Sequence, residues 1–300
     1  MRAVWSFWTK PFFESRKSFW VSEKHHLLSW VLSFETARKH FQKTILYTDD
    51  AGARMLVEGL RLEFNSVSTE LNALTRYDSK WWAIGKIFTY REQQEPFIHI
   101  DNDVFLWKRL PVTSDMALFT QNPEPFVTGV SYYKPEEFEA ELARFTGSWL
   151  PPEWKWYRLS GYPQRAECCG VFGGSHTAFI RYYANLAMKI VEHPFNQGAW
   201  LSLNDQVERN ILAEQYLLSA CIEYHKGLRG SPFRDLRIHY LFNSLDEALD
   251  PKKAAEIGFT HLVAGSKRNC KVADDLERRV KTDYPAQYER CLRYLRQTTD

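Results

Sequence analysis

Three short apolar runs, each broken off by polar residues, constrain this chain more than any other feature. Residues 3–8 (AVWSFW) stop at Thr9-Lys10-Pro11, residues 43–48 (KTILYT) at Asp49-Asp50-Ala51-Gly52, and residues 97–100 (FIHI) at Asp101-Asn102-Asp103. Runs of this length, rich in β-branched and aromatic residues and bounded by turn formers, read as buried strands. Helical patterns lie between them. Residues 24–41 carry apolar side chains at 27, 28, 31, 34 and 41, and shorter helices are expected over 53–60 and 80–92. Strand–helix–strand alternation predicts a parallel α/β sheet. Ligands bind such sheets at the carboxyl ends of strands, where Thr9, Lys10, Asp49, Asp50, Asp101 and Asp103 fall.

Further strands are expected over 116–120 (MALFT), 124–133 (EPFVTGVSYY) and 169–174 (CGVFGG). Helices are expected over 134–145, 177–192 and 204–224, and a charged helical tail after 272 is interrupted at Pro285. Residues 146–167, rich in Pro, Gly and Trp, read as a long loop or irregular lobe. Trp149, Trp154, Trp156 and Tyr157 within it either form a stacking platform for an acceptor or pack on themselves. No internal repeat or low-complexity segment is visible.

Composition removes several classes. The 39 basic and 37 acidic residues leave a net charge of +2, with no basic stripe to hold nucleic acid. The five cysteines include no C-x-x-C, which argues against a thiolate zinc site and for reduced thiols in a cytoplasmic setting. The first residues, MRAVWSFWTKPFF, read as a strand and not as a signal peptide. No uncharged run is long enough for a transmembrane segment. Arg278, Arg279, Arg290, Arg293 and Arg296 on the last helices either face solvent or give peripheral membrane contact. The 11 Trp, 15 Tyr and 20 Phe supply core, and possess the flat faces that line sugar and base grooves.

Asp101 and Asp103 cannot point the same way on a regular strand, but at its end the chain can turn and bring both to one ion. Oxygen ligands suit Mn²⁺ or Mg²⁺, which then takes substrate phosphates as further ligands. The bland alternative makes Asp101 a turn cap and Asp103 a solvated acid. His25-His26 are adjacent on a helix and do not share a face. His99 reads as a packed strand histidine, and Cys168-Cys169 as packing or loop residues.

In this context the chain resembles the metal-dependent glycosyltransferases of the GT-A fold, especially the glycogenin-like and bacterial galactosyl/glucosyltransferase group. The resemblance rests on Lys86-Ile87-x-x-Tyr90, then FIHI, then the D-x-D of Asp101-Asn102-Asp103. It continues with Cys169-Gly170-Val171-Phe172-Gly173, Glu214-Gln215-Tyr216-Leu217-Leu218 and His261-Leu262-Val263-Ala264-Gly265-Ser266-Lys267. It spans roughly residues 3–270 in order. Ala264 stands where the family's H-x-x-G signature has glycine, and Glu214 where an Asp is common.

The resemblance implies a GT-A-like, Rossmann-like, mostly parallel sheet flanked by helices, with a Trp/Pro-rich acceptor lobe and a helical C-terminal tail. One catalytic domain would cover 1–270, with a nucleotide-binding half (1–110) and an acceptor half (111–270), followed by the tail at 271–300. It implies that Asp101, Asp103 and His261 bind Mn²⁺ or Mg²⁺. Asp101 and Asn102 would contact the donor, Asp49 would either contact it or cap a turn, and Lys267 and Lys86 would steady its diphosphate or sugar; Thr9, at the end of the first strand, is a further nucleotide contact by position. Glu214 and Gln215 would orient the donor sugar or stabilise developing positive charge. The implied donor is a nucleotide-diphosphate sugar, UDP-sugar first, and the acceptor a glycan, a lipid-linked intermediate or a protein. The alternative is a catalytically inactive GT-A-like protein that binds nucleotide or sugar. A sugar nucleotidyltransferase needs a Gly-rich loop after the first strand, and Thr9–Phe13 contains no glycine.

Overall fold

The computed structural model describes residues 1–14, 19–126, 132–203 and 206–299. Its strands, in chain order, are β1 (Arg2–Phe7), β2 (Thr44–Thr48), β3 (Ser66–Ser68), β4 (Phe97–Ile100), β5 (Val104–Leu106), β6 (Leu118–Thr120), β7 (Pro123–Pro125), β8 (Arg165–Glu167), β9 (Val171–Gly174), β10 (Ile238–Tyr240) and β11 (Phe259–His261). The fold is α/β with a mostly parallel sheet: β1–β2, β2–β3 and β6–β10 pair parallel, and β6–β9 antiparallel. Two compact units are built from interleaved segments. Unit 1 is Met1–Ser79, His99–Pro111 and Pro251–Asp300, and unit 2 is Lys80–Ile98 and Val112–Asp250. Among the described residues no helix is long and apolar enough to cross a membrane.

In unit 1, Ala3, Val4 and Trp5 of β1 are fully buried. Trp5 meets Phe34 and Phe64 edge-on, and its indole N–H donates to Ser33 Oγ at 3.0 Å. Phe34 and Ser33 belong to the Glu23–Ala37 helix, which buries residues on all sides because the Cys270–Asp283 and Pro285–Thr299 helices cover it as well. Lys24 and Glu277 join it to the first of these at 2.6 Å, and Lys39 and Tyr284 to the turn between them at 2.7 Å. Asn269 caps the first of these, accepting from Lys271 N at 2.9 Å. β5 and β11 form a separate antiparallel pair in which His261 lies opposite Val104.

In unit 2, the Ile84–Glu92 and Thr177–Glu192 helices pack together, as do Pro152–Leu159 and Leu217–Gly227. β9 lies so close to the Phe97 backbone that a Cβ on Gly173 would sit 2.1 Å from Phe97 O, which only glycine avoids. Trp154, Trp200, Tyr157, Tyr183 and Tyr216 are fully buried, so much of the aromatic content is core.

Several expectations change. Residues 146–167 are not one irregular stretch: they hold a helix at Pro152–Leu159 and strand β8. The Pro151-Pro152 pair marks the start of a helix, where a missing N–H costs nothing, and Trp154 and Tyr157 then fall on its buried face. Fully buried, these two rings pack instead of presenting a platform; Trp149 and Trp156 are half-buried. The helix expected over 53–60 begins at Asp50, capped by Asp49, and continues as a π-helical turn over Arg54–Gly59. The helix over 24–41 ends at Ala37. Of the strand expected over 124–133, Glu124 and Pro125 belong to β7 (Pro123–Pro125), and 127–131 lie outside the described residues. Likewise the helix expected from 204 is described from Gln206.

Candidate metal centre and a buried ion pair

The Glu23–Ala37 helix sets the position of the acids after β4. Ser33 Oγ donates to the Asp101 carbonyl at 3.0 Å, and Asn102 Nδ2 donates to Ser29 Oγ at 3.1 Å. Ser29 and Ser33 stand four residues apart, on one helix face. Val104 N closes the turn onto Asp101 O at 3.0 Å. Asp103 is thereby driven inward and is 3% exposed, while Asp101 stays half-buried. The β5–β11 pairing then delivers His261, and Leu262 N donates to Asp103 O at 3.0 Å.

One ligand atom from each of Asp101, Asp103 and His261 lies within 4.8 Å of the others. Asp103 Oδ1 is buried without a hydrogen bond among the described residues and has His261 Nε2 at 3.5 Å, longer than a normal hydrogen bond. Asp103 Oδ2 forms an ion pair with Lys267. Burial opposes the Asp103 charge, but the Lys267 ammonium and His261 prevail and hold its carboxyl well below the ordinary range. The donor set, two carboxylates and an imidazole around an unsatisfied buried oxygen, fits Mn²⁺ or Mg²⁺.

The turn carrying Lys267 answers the question raised by Ala264. Ala264 adopts φ 47°, a left-handed conformation that glycine takes without strain. The backbone thus keeps a glycine-type bend at a residue that is not glycine. Gly265, the next residue, has no positive φ.

Besides His261, two histidines that the sequence does not mark as ligands, His99 and His26, border this centre. His99 Nε2 is 2.9 Å from Ser6 Oγ, and its Nδ1 is 3.5 Å from Asp101 Oδ1. His26 packs on Phe12 with ring centres 4.6 Å apart, and burial, then Lys267, push its pKa down to about 3. Its neighbour His25 turns elsewhere, to Ser22 and Glu277. The signal for His26 was its helix position relative to Ser29 and Ser33, three and seven residues on.

Thr9 and Asp49 meet each other. Asp49 Oδ2 accepts from Thr9 N and Oγ1, both at 2.8 Å, and Oδ1 accepts from Gly52 N at 2.8 Å. This carboxylate ties together the ends of β1 and β2. Lys10 Nζ donates to the Thr75 and Tyr77 carbonyls.

In unit 2, Lys86 and Glu214 form an ion pair at 2.9 Å, and Tyr90 donates its hydroxyl to Glu214 Oε1 at 2.9 Å. Lys86 Nζ also donates to Cys169 O at 3.3 Å. Glu214 is 0% exposed and sits in a π-helical turn, Leu212–Tyr216, inside its helix. The hydroxyl of Tyr133 lies between Glu124 and Gln215. Burial, then Glu124, raises the Tyr133 pKa well above the ordinary phenol value. Among the described residues none of the five cysteines forms a disulfide, and four are buried.

The sequence model of a family of unknown function, DUF6734, matches residues 1–294. No curated protein matches the chain. Among solved structures, the chain is similar to one described as the crystal structure of galactosyltransferase LgtC in complex with donor and acceptor sugar analogs. That similarity has 11% sequence identity and a TM-score of 0.40, and covers 92% of this chain and 96% of the other.

Proposed function

We propose that this chain, which belongs to the family of unknown function DUF6734, is a metal-dependent glycosyltransferase of GT-A type. In this reading it moves a hexose from a nucleotide-diphosphate sugar, a UDP-sugar first, to a glycan, lipid-linked or protein acceptor. The observation that carries it is the convergence of Asp101, Asp103 and His261 within 4.8 Å, with Lys267 paired to Asp103. Two anions, an imidazole and an ammonium at the carboxyl end of a strand form a site for a cation and a diphosphate together.

Asp101, Asp103 and His261 would hold Mn²⁺ or Mg²⁺. When bound, such an ion acts as a Lewis acid that neutralises charge gathering on a departing diphosphate. The chain's own groups do the rest. Asp103 stays anionic throughout the physiological range, so its ligand oxygen is always available. Ser29 and Ser33 fix the turn, so the acids need no reordering when a ligand arrives. Lys267 supplies a compact positive charge for the diphosphate beside the ion. Asn102 and the Thr9–Asp49 clasp would face the donor's nucleoside. In unit 2, we assign Glu214 the task of holding Lys86 charged and in place, with Gln215 anchored by Tyr133.

Titration calorimetry of UDP and GDP, with and without Mn²⁺, tests this on wild type and Asp103→Asn. Metal-dependent binding of one nucleotide, lost in the variant, is expected, followed by hexose transfer in a donor screen. No nucleotide binding under any condition overturns the reading. Metal-dependent binding without transfer to any acceptor moves the assignment to a nucleotide-binding protein.

A further inference from the structure

We infer that unit 2 carries a pocket for an uncharged sugar, built from residues the centre around Asp103 does not use and independent of the transferase reading. A cavity of about 320 Å³ is lined by Pro123, Pro125, Tyr162, Arg165, Glu223 and Asn243 among others. That volume lies at the lower end of small-molecule sites, roughly 300–1,000 Å³.

The lining selects the ligand class in three ways. The first is a flat apolar face. Tyr162 follows Gly161, whose φ of 73° makes a left-handed turn, and remains 55% exposed with its ring 5.9 Å from that of Trp156. The C–H face of a pyranose stacks on such a ring.

The second is polarity without net charge. Arg165 donates to Glu167 at 2.9 Å and to Glu223 at 2.7 Å, and Lys226 reaches Glu223 at 3.3 Å. Two cations face two carboxylates, so an anionic ligand finds the guanidinium already engaged. Glu223 Oε2 and Asn243 Oδ1 make no hydrogen bond among the described residues and remain as acceptors for hydroxyl groups.

The third is a wall fixed in advance. The Gln164 side chain donates to the Tyr157 and Tyr162 carbonyls and accepts from Tyr216 at 3.0 Å, and Arg165 N donates to the Tyr157 hydroxyl at 2.9 Å. Little ordering is left to be done on binding. An added peptide strand fits poorly, because Pro123 and Pro125 bring no N–H to the β7 edge.

Saturation-transfer NMR and calorimetry on the full chain in EDTA test the pocket, with methyl β-glucoside, methyl β-galactoside, maltose and lactose as probes. At least one probe should bind in the millimolar range. Tyr162→Ala should weaken it at least tenfold, Tyr162→Phe should retain it, and UDP with Mn²⁺ in molar excess over the EDTA should not displace it. Tyr162 lies on an exposed turn, and unchanged thermal melts would show that the variants fold. Failure of all four probes overturns the pocket, as does binding insensitive to Tyr162→Ala, displacement by UDP with Mn²⁺, or binding of a proline-rich decapeptide in place of sugar. Loss of nucleotide binding would instead break the transferase reading and leave these results standing.

Discussion

Asp103 in unit 1 and Glu214 in unit 2 look alike in outline. Each is a buried carboxylate with one oxygen on a lysine and the other without a hydrogen bond among the described residues. Their surroundings separate them. The spare oxygen of Asp103 has His261 at 3.5 Å and Asp101 within the same cluster, and the side chains of Asp101 and Lys267 are 20% and 22% exposed. Around Glu214, Lys86 is 11% exposed, Glu214 is sealed, and Tyr90 shares its bonded oxygen. A buried acid marks a binding centre when further ligand atoms converge on it from a reachable side. Without them it holds its neighbours in place.

The largest expected effect breaks the sealed pair. Glu214→Ala leaves the buried Lys86 ammonium without its carboxylate, and should lower unfolding stability by about 3–5 kcal/mol in urea titrations. The Lys86→Met, Glu214→Leu double variant should recover most of that loss, as an apolar replacement of both charges does. If the single variant changed stability by less than about 1 kcal/mol, the pair would not be structural.

Asp103→Asn tests the other side. Removing a charged ligand should weaken Mn²⁺ affinity by about 100-fold or more, a larger effect than outer-shell changes give. Manganese paramagnetic relaxation reads this without any substrate. An unchanged affinity would place the ion elsewhere.

Acid titration sharpens the same contrast. The Asp103 carboxyl is held below its unfolded value, so the folded chain binds that proton more weakly than the unfolded chain. Its stabilising contribution is present above the unfolded carboxylate pKa, about 3.9, and is lost as pH falls below it. Urea midpoints from pH 6 to pH 3 should therefore fall more steeply in wild type than in Asp103→Asn. The smallest effect is at the turn. Ala264→Gly should raise stability by about 1 kcal/mol by relieving a left-handed alanine, seen as a small upward shift in melting temperature.

Local pattern carried the fold where punctuation was local. FIHI, the 177–192 helix and the break at Pro285 stand where the apolar period and turn formers put them. The Pro152–Leu159 helix was hidden because a proline pair signals both loops and helix starts. β5 and β11, three residues each, were invisible because they are made by pairing residues 104–106 with 259–261 and have no pattern of their own. The site divides the same way. The acids at the end of β4 were legible from position alone, whereas their convergence with His261 was implied only by family resemblance. The partnership of Lys86 with Glu214 is a tertiary fact, 128 residues apart in chain numbering, that no local window holds.

The interleaving of unit 1 has a consequence for how the protein is made. On the ribosome, β5 emerges about 150 residues before its partner β11, and Asp103 must wait for His261 and Lys267 from the third segment of unit 1. Until then the nascent chain carries an acid bound for the interior with no cation to meet it. Closure of this long-range pairing should be a late and slow event, because contacts so distant in sequence form only after much loop entropy is surrendered. The corner around Asp103 is therefore assembled late, long after the first strands and their covering helix have left the exit tunnel.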